Sequence, residues 1–301
     1  MKLRVFIILS IFIFAVFSGC INEEKENQSP SVSEGFQYGV NYTVTVTYVI
    51  DGDTFDAKFP NGSIGRVRLL GVDTPEKYPD KNKLNEYDGI NNLYYLSFWA
   101  EKATNFTESW LDGKEVYIQF DDLAGFKGYY GRWLCYVYLK NGTDFNAELL
   151  KRGYARVYEE GNFHKKDYYL TLQDQAMENK VGLWNYSYSP EEIHLEIVYV
   201  HYDAEGDDRE NLNDEYVVIE NKGDEPVYMG GFTLSDKANH VYTFPLSFVL
   251  DVDSTVTVHT GYGTDTEGDL YWNRGSPVWN NDHDTAYLRD NFGNVIDTYK
   301  W

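Results

Sequence analysis

The chain has 301 residues, a formal net charge of −22 at pH 7, 17% aromatic residues and two cysteines. Two cysteines, Cys20 near the N-terminus and Cys135 in an apolar run, exclude a disulfide framework, so a length suited to about two domains must be held together by packed cores. Uniform acidity would exclude a nucleic-acid ligand, because polyanion binding needs a positive field. The charge is segregated, however: residues 41 to 184 carry 17 basic and 21 acidic side chains, against 6 and 23 in residues 185 to 301.

In chain order, Lys2 and Arg4 precede an apolar run from Val5 to Phe17 that closes on Ser18, Gly19 and Cys20. The run is shorter than the ~20 residues of a spanning helix and reads as an export signal over residues 1–20. Ser18-Gly19-Cys20 resembles a lipoprotein box, with Phe17 where that motif usually has Leu. Two readings stand: a lipidated Cys20 that holds the chain to a membrane, or a plain cleaved leader and a secreted product. Both place the protein outside the cytoplasm. Residues 21–40 offer almost nothing to bury and read as a flexible tether.

Tyr42 to Ile50 alternates as a half-buried strand, Asp51-Gly52-Asp53 is a tight turn, and Thr54 to Phe59 is the returning strand. Pro60 to Ser63 turns again into a third strand over Gly65 to Val72. A helix is expected from Ala100 to Leu111, strands at Glu115 to Phe120 and Arg132 to Leu139, and two helices near Asp144 to Arg152 and Lys165 to Lys180. These elements fit a mainly β architecture with packed helices, an OB-fold five-stranded barrel over residues 41–186. Cys135, inside Trp133 to Tyr138, reads as a buried strand thiol.

Three segments far apart carry chemistry: Val49 to Thr54, Arg68 to Glu76, and Tyr130-Gly131-Arg132. They supply carboxylates suited to a hard cation and a water, and two guanidiniums able to clamp a phosphate in bidentate fashion. Taken singly each has a structural explanation. Asp51 and Asp53 can shape a hairpin turn, Asp73-Thr74-Pro75 can cap or turn, and Arg68 can pair with a surface carboxylate.

Together with Gly182-Leu183-Trp184, these segments closely resemble the staphylococcal-nuclease-like thermonuclease family, in order over about residues 45 to 184. The resemblance implies that Asp53 and Asp73 ligate Ca²⁺ with the backbone carbonyl of Thr74, an all-oxygen set suited to that ion. It implies that Glu76 positions or deprotonates the attacking water, and that Arg68 and Arg132 bind the scissile phosphate and stabilise the five-coordinate transition state. Hydrolysis of DNA or RNA would then leave 3′-phosphate ends. Tyr130 corresponds to a tyrosine near the nucleotide, and Tyr158 stands where it can stack on a base. The chain departs from the family's best-known member in having Tyr129 where a lysine stands, and in a longer insert from Lys77 to Trp99 whose Lys77, Lys81 and Lys83 read either as compensation for that lysine or as solvated mobile-loop charges.

After a linker at Asn185 to Pro190, strand-like runs recur at Leu195 to Val200, Glu215 to Glu220, Val227-Tyr228, Val241 to Phe244, Thr255 to His259, Ala286 to Leu288 and Val295 to Tyr299. Their spacing reads as an immunoglobulin-like β-sandwich over residues 187–301. Glu215 to Gly223, Gly231 to Asp236 and Ser276 to Ala286 resemble the lamin-tail domain family. The region shows no catalytic set, and its acidic loops at Asp203 to Asp208, Asp265 to Asp269 and Asp282 to Asp284 read as solvated. So acidic a surface repels polyanions, which leaves spacing or docking, with an unknown partner, as its role. The sequence therefore points to an exported Ca²⁺-dependent endonuclease. The alternative is a catalytically weak nucleic-acid or cell-surface binding module built on the same barrel.

Overall fold

The computed structural model describes residues 35–187 and 192–301. The export signal, Cys20, most of the tether and residues 188–190 of the linker lie outside the described residues. Gln37–Trp301 forms one compact unit. Among the described residues no helix is long and apolar enough to cross a membrane.

The first half is a closed barrel of β1 (Asn41–Val49), β2 (Thr54–Lys58), β3 (Ile64–Leu69), β5 (Glu115–Gln119) and β6 (Trp133–Tyr138). The order around it is β1-β2-β3-β6-β5, antiparallel except for the β3–β6 pair. That is the OB arrangement expected from five short alternating strands. Val44, Val46, Phe55, Ala57, Val67, Leu69, Val116, Ile118, Cys135 and Val137 fill its interior. Cys135 is a free, buried thiol whose pKa burial pushes up.

The third strand is shorter than its apolar run suggests. Gly71 adopts a φ of +78°, a left-handed turn in which a Cβ would lie 2.5 Å from the Phe163 ring. Beyond it the chain leaves the barrel as β4 (Val72–Asp73), which pairs with β7 (Arg156–Val157). This break sets Asp73 at the barrel mouth.

The first helix, α1 (Leu93–Leu111), begins seven residues before the expected Ala100. The Asn92 side chain accepts from the Tyr95 amide at 2.9 Å and caps it. Its first turns are apolar because they are sandwiched: Tyr95 and Leu96 pack with Tyr87, Ile90, Ala176, Leu183 and Trp184. The Lys77–Trp99 insert thus packs through Tyr87 and Ile90, and its last residues are the first turns of α1. α2 (Phe145–Lys151), capped by Asp144, and α3 (Lys166–Glu178) complete this half.

The second half is an immunoglobulin-like sandwich. One sheet holds β15 (Asp269–Tyr271), β14 (Thr255–His259), β9 (Tyr216–Asn221) and β8 (Leu195–His201). The other holds β12 (Val241–Thr243), β11 (Thr233–Ser235), β16 (Thr285–Arg289) and β17 (Val295–Lys300). β10 (Val227–Tyr228) pairs with β13 (Val249–Leu250) at one side. Val217, Ile219, Leu234, Phe244, Val256, Trp279 and Leu288 lie in the core between the sheets. β11, β13 and β15 are too short, at two or three residues, to show alternation in the sequence.

The halves are docked directly. The Tyr228 hydroxyl donates to the Tyr94 carbonyl at 3.1 Å, its ring meets Tyr95 edge-on at 5.6 Å, and Phe98 lies 5.4 Å away. Gly231 lies against the Tyr94 ring, where a Cβ would be only 2.4 Å from it.

Candidate active site

The β1–β2 turn is built around a glycine that cannot carry a side chain. A Cβ on Gly52 would stand 2.7 Å from Ala103 Cβ and 2.7 Å from Thr74 Cγ2, so the turn presses directly onto α1 and the Asp73–Glu76 segment. The Thr107 hydroxyl on α1 donates to the Gly52 carbonyl at 2.6 Å and holds the turn down. The close approach buries Asp53 at the barrel mouth. A buried carboxylate must be fully hydrogen-bonded, and this one is. Oδ1 accepts from Thr54 Oγ1 at 2.9 Å, while Oδ2 accepts from the Thr74 amide at 2.8 Å and the Thr74 hydroxyl at 3.0 Å. Thr74 therefore works through its side chain as well as its main chain.

Arg68 pairs with Thr54 across the β2–β3 ladder. Its guanidinium reaches both carboxylates at the mouth, with Nη1 on Asp53 Oδ1 and Nη2 on Asp73 Oδ1. The other Asp73 oxygen is held by Arg156 Nη2 at 2.8 Å, from the partner position in the β4–β7 pair. Arg156 in turn meets Glu86 and Glu160, each at 3.4 Å, and the buried Tyr87 hydroxyl donates to the Asp73 carbonyl at 2.9 Å.

Glu76 and Arg132 share this electrostatic neighbourhood. Burial, then the Asp51 and Asp73 charges, push the Glu76 carboxyl above its ordinary pKa, against the pull of Arg68. Burial and the like charge of Arg68 lower the Arg132 pKa, while Asp51 and Glu76 act in the opposite sense. Asp51 is itself pushed up by burial, with Arg68 and Lys77 opposing. Lys77 reaches across to the Ile50 carbonyl at 2.7 Å.

The structure thus brings Asp53, Arg68, Asp73, Thr74, Glu76 and Arg132 to one end of the barrel. Tyr130 borders the cluster with its ring 5.8 Å from the Arg132 guanidinium; it is 80% exposed, and Tyr129 is 97% exposed. Tyr158, half-exposed, borders the cluster on the Arg156 side: its ring is 6.0 Å from the guanidinium that binds Asp73, and its amide donates to the Gly71 carbonyl at 3.1 Å. Arg156, Asn82 and Tyr87 were not legible as site residues, and Asp51 read only as a turn former. For Arg156 a signal existed: a charged side chain inside Tyr154-Ala155-Arg156-Val157 sits in a segment that is otherwise buried.

The donor set at the mouth suits a hard divalent cation, since Asp53, Asp73 and the Thr74 carbonyl offer only oxygen. Both carboxylates now share the Arg68 guanidinium, so the place of a positive charge between them is already built. A second group, Asp121, Asp122 and His164, has ligand atoms within 4.8 Å of one another. There Asp121 already accepts from the Tyr136 hydroxyl at 2.6 Å and the amides of His164 and Leu123 at 2.8 and 2.9 Å, bonds that tether the chain ahead of α3.

Residues 66–186 match the family model described as staphylococcal nuclease homologue, and residues 189–301 match the lamin tail domain model. An uncharacterized protein of Methanocaldococcus jannaschii is 40% identical over 202 residues, 62% of this chain and 96% of the relative. The thermonuclease of Staphylococcus hyicus is 30% identical over 157 residues, 52% of this chain and 83% of the relative. An endonuclease of Bacillus subtilis is 30% identical over 166 residues, 54% of this chain and 12% of that longer relative.

Proposed function

Because the chain belongs to the staphylococcal nuclease homologue family, with a lamin tail domain behind its barrel, we propose that it is an exported Ca²⁺-dependent endonuclease. It hydrolyses phosphodiester bonds of DNA or RNA and leaves 3′-phosphate ends. The observation that carries this reading is the convergence of Asp53, Asp73, Glu76, Arg68 and Arg132, drawn from distant segments, on one end of the barrel.

Asp53, Asp73 and the Thr74 carbonyl would hold the cation, which would supply a fixed positive charge to the site. Glu76 takes a proton from the attacking water, and its raised pKa suits a base that must give that proton up again. Arg68 and Arg132 bind the non-bridging oxygens and stabilise the charge that develops as the new P–O bond forms and the bond to the 5′-oxygen breaks. Tyr130, beside Arg132, and Tyr158, beside Arg156, offer faces on which bases stack. Residues 1–20 support export, and Cys20 with the following tether supports a lipid anchor at the membrane face.

The test is release of oligonucleotides ending in 3′-phosphate by the Ca²⁺-loaded protein, abolished by a chelator and by Glu76→Ala or Arg132→Ala. Cleavage indifferent to chelation sinks the cation assignment. Oligonucleotide binding with no cleavage under any condition leaves the barrel as a binding module. Mass spectrometry of the mature N-terminus checks the anchor, and an unmodified end beyond Cys20 rules it out.

A further inference from the structure

The strap between Glu76 and α1 brings to the site a polar side chain that no motif announces. Asn82 is 5% exposed. Its carboxamide grips the main chain of Glu76 on both sides: Oδ1 accepts from the Glu76 amide at 2.8 Å and Nδ2 donates to the Glu76 carbonyl at 2.8 Å. The same Nδ2 lies 3.1 Å from Ser97 Oγ on α1 and 3.3 Å from the Tyr78 carbonyl. Ser97 Oγ closes the ring by donating to the Glu76 carbonyl at 3.1 Å.

One side chain that binds both the N–H and the C=O of a single residue fixes how that residue's peptide planes are turned. The direction of its Cα–Cβ bond follows. Neither end of this grip touches Asp53, Asp73 or Thr74, and neither touches Arg68 or Arg132. The strap is otherwise firmly seated, through the buried Tyr87 and Ile90 and the Tyr87 hydroxyl on the Asp73 carbonyl. Among the charged groups of the site, Glu76 is the one Asn82 bonds directly.

We propose that Asn82, backed by Ser97, is a positioning residue that aims the Glu76 carboxylate at the attacking water. The proposal rests on the reading of Glu76 as the group that takes the water's proton. A misplacement of about 1 Å can cost about a hundredfold in rate, so the effect belongs in kcat and leaves the binding of cation and phosphate almost untouched.

The experiment measures kcat, KM for a DNA oligonucleotide and the Ca²⁺ half-saturation for wild type, Asn82→Ala, Ser97→Ala, Glu76→Gln and the Glu76→Gln/Asn82→Ala double variant. Circular dichroism checks that each is folded. Asn82→Ala is expected to lower kcat by about 10- to 100-fold, with KM and Ca²⁺ half-saturation each within about threefold of wild type. Ser97→Ala, which removes one hydroxyl and keeps the carboxamide grip, is expected to lower kcat by about 3- to 10-fold; it carries the test if Asn82→Ala does not fold. In the Glu76→Gln background Asn82→Ala is expected to cost nothing further, because residues acting as a unit are non-additive. A full additional loss in that background, or a loss confined to KM, overturns the proposal. If Glu76→Gln turns over as fast as wild type, the role of Glu76 itself fails, and the proposal falls with it; this arm separates the two failures.

Discussion

Replacing Arg68 by methionine should weaken the cation-free protein and tighten its hold on a divalent cation, two effects of opposite sign from one change. The guanidinium lies between the Asp53 and Asp73 carboxylates, and the three side chains are 16%, 1% and 17% exposed. Removing one partner of a buried pair typically costs about 3–5 kcal/mol, because the remaining charge is left uncompensated. Asp73 keeps Arg156 at 2.8 Å, and Asp53 keeps the Thr54 and Thr74 donors. The lower end of the range, about 3 kcal/mol, is therefore expected. For a chain of this size that is a fall in Tm of roughly 4–6 °C. A cation entering between the carboxylates no longer has to displace a guanidinium or tolerate its charge. One unit charge about 5 Å away is worth more than the ~1.4 kcal/mol of a tenfold change at an effective dielectric of about 20, so affinity should rise at least about tenfold. Scanning calorimetry in chelator and in Ca²⁺ reads the first effect, and calorimetric titration reads the second. The gap in Tm between the two conditions should widen in the variant, since a ligand bound only to the folded state stabilises in proportion to its affinity. Unchanged stability in chelator, or weaker Ca²⁺ binding, would refute the picture of Arg68 as the resident counter-charge.

Gly52→Ala should cost about 1–3 kcal/mol in denaturant unfolding, because its Cβ meets Ala103 and Thr74 at 2.7 Å and one of them must yield; Ca²⁺ affinity should fall with it if Thr74 is the one that moves. In chelated protein the Glu76 carboxyl should titrate above the ordinary glutamate range, since burial and the negative Asp51 and Asp73 all disfavour its ionised form. Asp51→Asn removes one of those charges, so a carboxyl-carbon NMR titration should show the midpoint moving to lower pH; a midpoint that stays put or rises contradicts the assignment of causes. Tyr228→Ala removes the hydroxyl bonded to the Tyr94 carbonyl and the ring packed on Tyr95 and Phe98. A loss of about 2–4 kcal/mol at this contact should split thermal unfolding into separate barrel and sandwich transitions, whereas one transition at the wild-type temperature would show that the docking contributes little.

The parts of the site legible in the sequence are those set by local geometry. Asp53 sits on a two-strand turn that Gly52 announces, Arg68 follows at a register fixed by the same meander, and Asp73 comes just after the glycine that ends the strand. Strand alternation and turn chemistry carry that information over a few residues, and they also carry the barrel. Asn82 was invisible for the opposite reason, and Arg156 was marked only by its uncharged neighbours. Lys81-Asn82-Lys83 reads as a solvated stretch, and only the tertiary fold turns Asn82 inward against Glu76, with Ser97 on α1 behind it. Arg156 reaches Asp73 through a two-residue β4–β7 pair, too short to predict. The early start of α1 was missed because Tyr94, Tyr95, Phe98 and Trp99 are poor helix formers taken alone. The Asn92 cap and the packing of that turn between Trp184 and Tyr228 override the propensity.

The chain's acidity and its phosphodiester chemistry are reconciled by segregation: most of the excess of carboxylates belongs to residues 185 to 301, and exposed charges act mainly within the about 8–10 Å of a screening length at physiological salt. The field at the barrel mouth is set by Arg68, Arg132, Arg156 and Lys77 against Asp51, Asp53, Asp73, Glu76 and Glu86, a set close to balance. Arg68 and Arg156 are both spent on carboxylates. On the proposed function, such a mouth would have little attraction for a polyanion until a divalent cation added its charge and released Arg68 toward the phosphate. Substrate affinity and cation affinity are then one coupled quantity, so oligonucleotide binding should tighten with Ca²⁺, and Ca²⁺ binding should tighten by the same factor when oligonucleotide is present.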